Sequence, residues 1–162
     1  MKMTKNRGIQ TTLHKIRKQP VTLFREAWIW SEKEEWLYKQ LCEGSTLHVC
    51  CGTSRLGDVR LDLFTDSIFA ANVKADAFCL PFKNESFSTI ICDPPWFGPS
   101  NWGKWNKLVN ELCRVAKERI ILILGNLIYL LPKPWKLYRV YILKKISPQI
   151  KVIYVWQKGI SD

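Results

Sequence analysis

The sequence contains no Cys-x-x-Cys pair and only two histidines, His14 and His48, neither of them beside a cluster of ligand-type residues. Zinc is therefore not expected, and both histidines read as structural. The six cysteines are Cys42, Cys50, Cys51, Cys79, Cys92 and Cys113; several lie in apolar runs, where buried reduced thiols are common, so a cytoplasmic address is expected. No uncharged apolar run reaches the roughly 18 residues that a membrane-spanning helix requires. The first 25 residues also lack the apolar stretch of a secretory signal. Acids are scarce at both ends. Residues 1–25 carry seven bases and no acid, and residues 119–162 carry eight bases and one acid, whereas residues 26–118 hold ten bases and thirteen acids. The net charge of +11 is thus concentrated in two basic flanks around a slightly acidic middle. That distribution suits a polyanionic partner such as DNA or RNA, because each Lys or Arg that meets a phosphate releases condensed counterions.

What is present is a chain of 162 residues, 47% hydrophobic and 24% charged, enough for one folded domain with its own core. Residues 1–25 read as a basic N-terminal arm and 26–162 as a single domain. Ser31 followed by Glu34 has the spacing of a capping box, which opens a helix to about Cys42 with Trp36, Leu37, Leu41 and Tyr38 as its apolar stripe. From Thr46 the pattern changes to short apolar runs bounded by Gly, Asp and Pro. Residues 46–51, 59–64, 87–92 and 119–124 read as buried strands, and 105–117 as a helix. Residues 138–143 and 151–157 read as a terminal hairpin. Buried strands alternating with helical or loop segments predict an α/β domain with a mainly parallel sheet and an antiparallel C-terminal hairpin.

The strongest chemical signal is Asp93-Pro94-Pro95-Trp96, directly after the run 87–92. Ligands in open α/β sheets bind at the carboxyl ends of parallel strands, which is where this tetrapeptide falls. Two prolines fix the backbone and remove two N–H donors, leaving carbonyls to face the site. A carboxylate, a neighbouring carbonyl and an aromatic plane suit a flat base with an exocyclic amine. Asp93 and the Pro94 carbonyl can accept the two amine hydrogens while Trp96 stacks on the ring.

Asp-Pro-Pro-Trp is similar to the motif of the class I S-adenosylmethionine-dependent amino-methyltransferases, which act on adenine N6 or cytosine N4. The resemblance covers roughly residues 46–157. Leu-His-Val-Cys-Cys-Gly-Thr-Ser-Arg-Leu-Gly at 47–57 looks like the family's first strand and glycine loop. Asp62 looks like the ribose-binding acid, and Asp76-Ala77-Phe78 like the segment against the adenine. The resemblance implies a Rossmann-like methyltransferase sheet with S-adenosyl-L-methionine as cofactor, held by Cys50, Gly52, Ser54, Arg55, Asp62, Asp76, Ala77 and Phe78. It implies that Asp93, Pro94, Pro95 and Trp96 form the catalytic motif, with adenine N6 the favoured acceptor.

The chain departs from the family's pattern in two places. Cys50 stands where the glycine loop usually has an acid, and Ser54 where it has a second glycine. Backbone carbonyls or another acid must then meet the methionine ammonium. Six residues separate Gly52 from Val59, whereas a helical crossover needs about a dozen. The first crossover is thus expected to be shortened, with Trp28, Trp30 and the helix after Ser31 covering the bare sheet face. Residues 96–105, with three tryptophans and two glycines, suit a lid over an extruded base. No Pro-Cys dipeptide occurs, which argues against thiol-assisted methylation of cytosine C5. The alternatives are a guanine-N2 RNA methyltransferase and a catalytically silent nucleic-acid-binding subunit. A chain of this size has no separate domain for reading sequence, so specificity is either shape-driven or supplied by a second copy or a partner subunit.

Overall fold

The computed structural model describes residues 29–66, 69–95, 102–125, 131–144 and 150–159. The basic arm, Trp28 and Trp96 lie outside them. Helix α1 (Glu32–Leu41) opens on the capping box: the Ser31 hydroxyl accepts from the Glu34 N–H, and the Glu34 carboxylate accepts from the Ser31 N–H at 2.9 Å. Its buried face differs from the expected stripe. Trp36 is 65% exposed, and the inward positions are Glu34 and Tyr38, one turn apart. A charged residue at N3 reads as surface in a sequence, so the true inward face was masked.

Strands β1 (Thr46–Val49), β2 (Val59–Asp62), β3 (Val73–Lys74), β4 (Phe87–Cys92), β5 (Ala116–Leu124), β6 (Trp135–Lys144) and β7 (Ile150–Lys158) form a seven-stranded sheet of order β3-β2-β1-β4-β5-β7-β6. The first five in that order run parallel. The β6–β7 hairpin adds the two antiparallel strands, β7 beside β5 and β6 at the edge. The two-residue β3 was not legible as a strand, being too short for any periodicity. Helix α2 (Trp102–Val115) starts before the expected position. Residues 102–105, read as the end of a lid, are its first turn, and Trp105 is buried in the core.

Strand periodicity sorts the core into two faces. One carries Leu47, Val49, Ile90, Cys92, Ile120, Leu122, Tyr154 and Trp156, packed with Leu108, Leu112 and Val115 of α2. The other carries His48, Ile91, Ile121, Ile123, Ile153 and Val155, all buried. Polar contacts tie helix α1 to this second face. The Arg119 guanidinium donates to the Leu41 carbonyl at 2.8 Å, and Lys151 Nζ lies 3.2 Å from Glu34 Oε1. Just beyond the helix, Thr89 Oγ1 donates to the Glu43 carbonyl.

The connection between parallel β1 and β2 contains no helix, as the short spacing predicts. A web of polar contacts replaces it. The Thr46 N–H donates to Asp58 Oδ2 at 2.8 Å and the Asp58 N–H to the Thr46 carbonyl at 2.9 Å, pinning the far end of the connection beside β1. His48, fully buried, donates from Nδ1 to the Leu56 carbonyl at 3.2 Å. That acceptor fixes the tautomer, and burial lowers the imidazole pKa to about 3. Ser31–Asp162 form one compact unit. Among the described residues no helix is long and apolar enough to cross a membrane.

Candidate active site

The sheet order reverses its direction of growth at β1, with β2 on one side and β4 on the other. The crevice at the carboxyl ends of such a pair is the usual ligand site of doubly wound sheets. Cys50–Gly52 follow β1, Asp62 ends β2, Asp76 follows β3 and Asp93 follows β4. Since these strands are parallel, the candidates come to one edge.

The loop after β1 is set by two residues with left-handed backbone, Cys50 (φ 57°) and Gly52 (φ 52°). For Cys50 this conformation is uncommon and costs on the order of 1 kcal/mol. A Cβ at Gly52 would meet nothing within 4 Å, so the loop has open space above it. The Gly52 peptide is held from both sides. Its N–H donates to Asp62 Oδ2 at 3.0 Å, and its carbonyl accepts from the Ala70 N–H at 2.8 Å. Asp62 also accepts from the Phe64 N–H at 3.3 Å on Oδ1, leaving one lone pair on each oxygen. Asp76 makes the corresponding turn, accepting from the Phe78 N–H at 2.9 Å. Asp76 is exposed, while Ala77 and Phe78 pack against the core.

Ser54 closes a turn onto Cys51 and donates from Oγ to Glu35 Oε1 at 3.1 Å. An acid from α1 thus reaches the loop that follows β1. Sequence order hid this, because Glu35 precedes the glycine loop and sits on a separate element. Arg55 is exposed.

Asp93 is half-buried, and its Oδ2 lies 3.5 Å from Lys151 Nζ. Lys151 is at the start of β7, which runs antiparallel to β5 with Val152 opposite Leu124. That register delivers a lysine from the end of the chain to the same carboxyl edge. Lys151 also pairs with Glu34, so three charges from β7, α1 and the turn after β4 meet. Burial, with the Glu34 and Asp93 charges, pushes the nearby Tyr38 hydroxyl well above its ordinary pKa. Lys151 belongs to no motif, and the capping box that marks Glu34 in the sequence gives no sign of its contact with Lys151.

The thiols at this edge are protonated at neutral pH where burial acts on them: Cys51 is pushed up to about 12, and Cys92 is also raised. Among the described residues no group of three His, Cys, Asp or Glu could hold a metal ion. An open depression lined by Lys117, Glu118, Gln157, Lys158 and Gly159 lies at the other end of β5 and β7, away from these groups.

No protein-family model and no curated protein sequence matches the chain. Solved structures do. The chain is similar to TrmN from Thermus thermophilus with a TM-score of 0.53 at 15% identity, covering 72% of this chain and 44% of that one. It therefore spans less than half the length of TrmN. It is similar to the proposed methyltransferase yhhF from Escherichia coli (TM-score 0.50, 17% identity, 78% and 83% of the two chains). It is likewise similar to the PH0226 protein from Pyrococcus horikoshii (TM-score 0.50, 18% identity, 77% and 87%). With the strand order β3-β2-β1-β4-β5-β7-β6, these likenesses give the chain the Rossmann-like α/β fold of class I methyltransferases, in a form with a helix-free first crossover.

Proposed function

We propose that this protein is an enzyme that transfers a methyl group from S-adenosyl-L-methionine to an exocyclic amine of a nucleic-acid base, with adenine N6 in DNA the favoured acceptor and RNA the other. One observation carries the reading. The glycine loop, Asp62, Asp76 and Asp93, singled out in the sequence as parts of one motif set, end successive parallel strands at one edge beside the β1–β4 switch point. The methyltransferase designation of yhhF agrees with it.

The residues present fit the cofactor. Open space lies over Gly52, Asp62 retains acceptor capacity for ribose hydroxyls, and Ala77 and Phe78 offer an apolar wall beside Asp76. Cys50, Ser54 and Arg55 would line the methionine end, where Glu35 supplies the acid that the loop lacks. When bound, the cofactor supplies a methyl on a sulfonium, a leaving group that needs no protonation. Positioning is then the protein's main task. Asp93 and the Pro94 carbonyl accept the two amine hydrogens and turn the nitrogen lone pair toward the methyl, and Trp96 holds the base in plane. The reading of a silent subunit rests on Cys50 and Ser54, and Glu35 on Ser54 weakens it.

The nucleic-acid part rests on charge. Beyond the basic arm, Lys133, Lys136 and Arg139 are exposed in a stretch without acids, and the Arg139 guanidinium lies 5.3 Å from the Tyr138 ring centre. Such basic and aromatic neighbours suit a phosphate backbone with stacked bases. Arg119, Lys151 and Lys158 are instead paired with Glu43, Glu34 and Glu85, so the basic C-terminal block is not uniformly a phosphate surface. The address proposed is cytoplasmic, with a second copy or a partner subunit supplying sequence specificity. Incubating mixed DNA and RNA with labelled cofactor, followed by nucleoside analysis, tests the reading. Labelled N6-methyladenine supports it; absence of label from every nucleoside overturns it.

A further inference from the structure

We propose that Lys151 is a positioning residue for the Asp93 carboxylate, and that Glu34 of α1 holds Lys151 in that place. The inference rests on the reading of Asp93 as the group that accepts from the substrate amine.

The three aspartates of the edge are oriented by different means. Asp62 accepts from the N–H two residues on, that of Phe64, and Asp76 likewise from that of Phe78. The residue two on from Asp93 is Pro95, and the next residue is Pro94, so neither following peptide has an N–H to give. The turn that fixes the other two carboxylates is chemically unavailable to the third. Lys151 Nζ, 3.5 Å from Asp93 Oδ2, is a side-chain cation placed to orient that carboxylate.

Lysine alone is a poor positioning group, because its stem is flexible and its ammonium is strongly hydrated. Here the ammonium is confined. The Lys151 side chain is 16% exposed, and its other partner, Glu34, is 6% exposed. Glu34 is itself fixed, since its Oε2 accepts from both the Ser31 N–H and the Ser31 hydroxyl at 2.9 and 2.8 Å. Only Oε1 is left to face Lys151, at 3.2 Å. A chain of contacts therefore runs from the N-cap of α1 through Glu34 and Lys151 to Asp93. A helix cap alone needs no buried cation, and buried ion pairs are weak contributors to stability. Their value here is orientation: Lys151 engages the carboxylate from its Oδ2 side.

The test compares Lys151→Met, Lys151→Arg and the double variant Glu34→Gln/Lys151→Met with the wild type. The double variant leaves no uncompensated charge at the more deeply buried Glu34, so it keeps the proposal testable if Lys151→Met fails to fold. Melting temperature, cofactor affinity by calorimetry, and kcat and KM for the base acceptor are measured for each. Loss of kcat by about 100-fold is expected for folded Lys151→Met and for the double variant, since misplacement by an ångström costs about that much. Cofactor affinity should stay within two-fold, and Lys151→Arg should recover most of the loss. A folded variant lacking Lys151 with near-normal kcat overturns the proposal, as does a loss that appears only in cofactor affinity. A second readout needs no turnover. Among the described residues, the charged and titratable groups near Asp93 are Lys151 from β7 with Glu34 of α1 behind it, Tyr38 of α1, and Cys92 of its own strand. Carbon NMR of the Asp93 carboxyl, assigned by its loss in Asp93→Asn, should show the titration midpoint moving to higher pH in Lys151→Met. An unmoved midpoint overturns the clamp whatever the substrate, while a moved midpoint in a protein that methylates no base upholds the clamp and rejects the proposed function.

Discussion

Replacing Asp62 separates two duties that one carboxylate performs. In the structure it accepts from the Gly52 N–H at 3.0 Å and the Phe64 N–H at 3.3 Å, and in the proposed function its remaining lone pairs take the ribose hydroxyls. Hydrogen bonds to a charged acceptor contribute about 1.5 to 3 kcal/mol, so Asp62→Ala should raise the cofactor Kd about 10- to 150-fold. Because Asp62 is partly exposed, the lower part of that range is expected. The same variant frees the Gly52 N–H and loosens a loop held at a left-handed glycine, which should cost about 1 kcal/mol of stability. Asp62→Asn distinguishes the two duties. Its amide oxygen can still accept from Gly52, so the melting temperature should stay close to that of the wild type while cofactor affinity falls. Calorimetry with S-adenosylmethionine and thermal melting of the three proteins measure both quantities. Affinity within two-fold of the wild type in folded Asp62→Ala would remove this residue from the cofactor site.

Three further outcomes are expected. His48 is buried neutral with a pKa of about 3 against 6.5 unfolded, so below pH 6.5 the unfolded chain takes up a proton that the folded one refuses. Stability should therefore fall by about 1.4 kcal/mol per pH unit as pH drops from 6.5 toward 3; His48→Asn should lack that part of the slope in urea titrations, and identical acid slopes would refute it. Glu35→Gln keeps an acceptor for Ser54 but removes the charge proposed to meet the methionine ammonium. It should weaken S-adenosylmethionine about three- to five-fold while leaving methylthioadenosine, which lacks that ammonium, unaffected; equal effects on both would place Glu35 elsewhere. Duplex DNA affinity should fall with salt at a log–log slope near −4 to −5 if about five bases meet phosphates, and deleting residues 1–18 or changing Lys133, Lys136 and Arg139 to Gln should each lower it by about 0.9 per contact. A slope unaltered by both changes would assign the charge to solubility.

The strand ends were legible because each buried run is short and closed by a residue with a backbone or chemical signature: Gly52 after β1, Asp62 ending β2, and Asp93-Pro94-Pro95 after β4. The capping box at Ser31 and Glu34 was legible for the same local reason. What the sequence concealed was assembled across distance. Glu34 satisfies the cap pattern, yet its other oxygen faces Lys151 far along the chain, a contact set by the antiparallel register of β7 on β5. Periodicity favoured Trp36 over Glu34 as an inward residue because hydrophobicity cannot show that a lysine waits on the opposite face. The basic count after residue 119 likewise overstated the free charge, since Arg119, Lys151 and Lys158 each meet an acid from an earlier element.

In the proposed function the edge after β4 is an amine-accepting centre in which Asp93 faces the substrate and not the cofactor. Single-turnover methyl transfer by the wild type and Asp93→Ala, each saturated with labelled S-adenosylmethionine and a mixed nucleic-acid acceptor, tests it most directly. Labelled N6-methyladenine is expected from the wild type and a loss of at least about 100-fold in Asp93→Ala, with cofactor affinity within a few-fold. Transfer at a near-normal rate by the variant, or no transfer by the wild type, would contradict it.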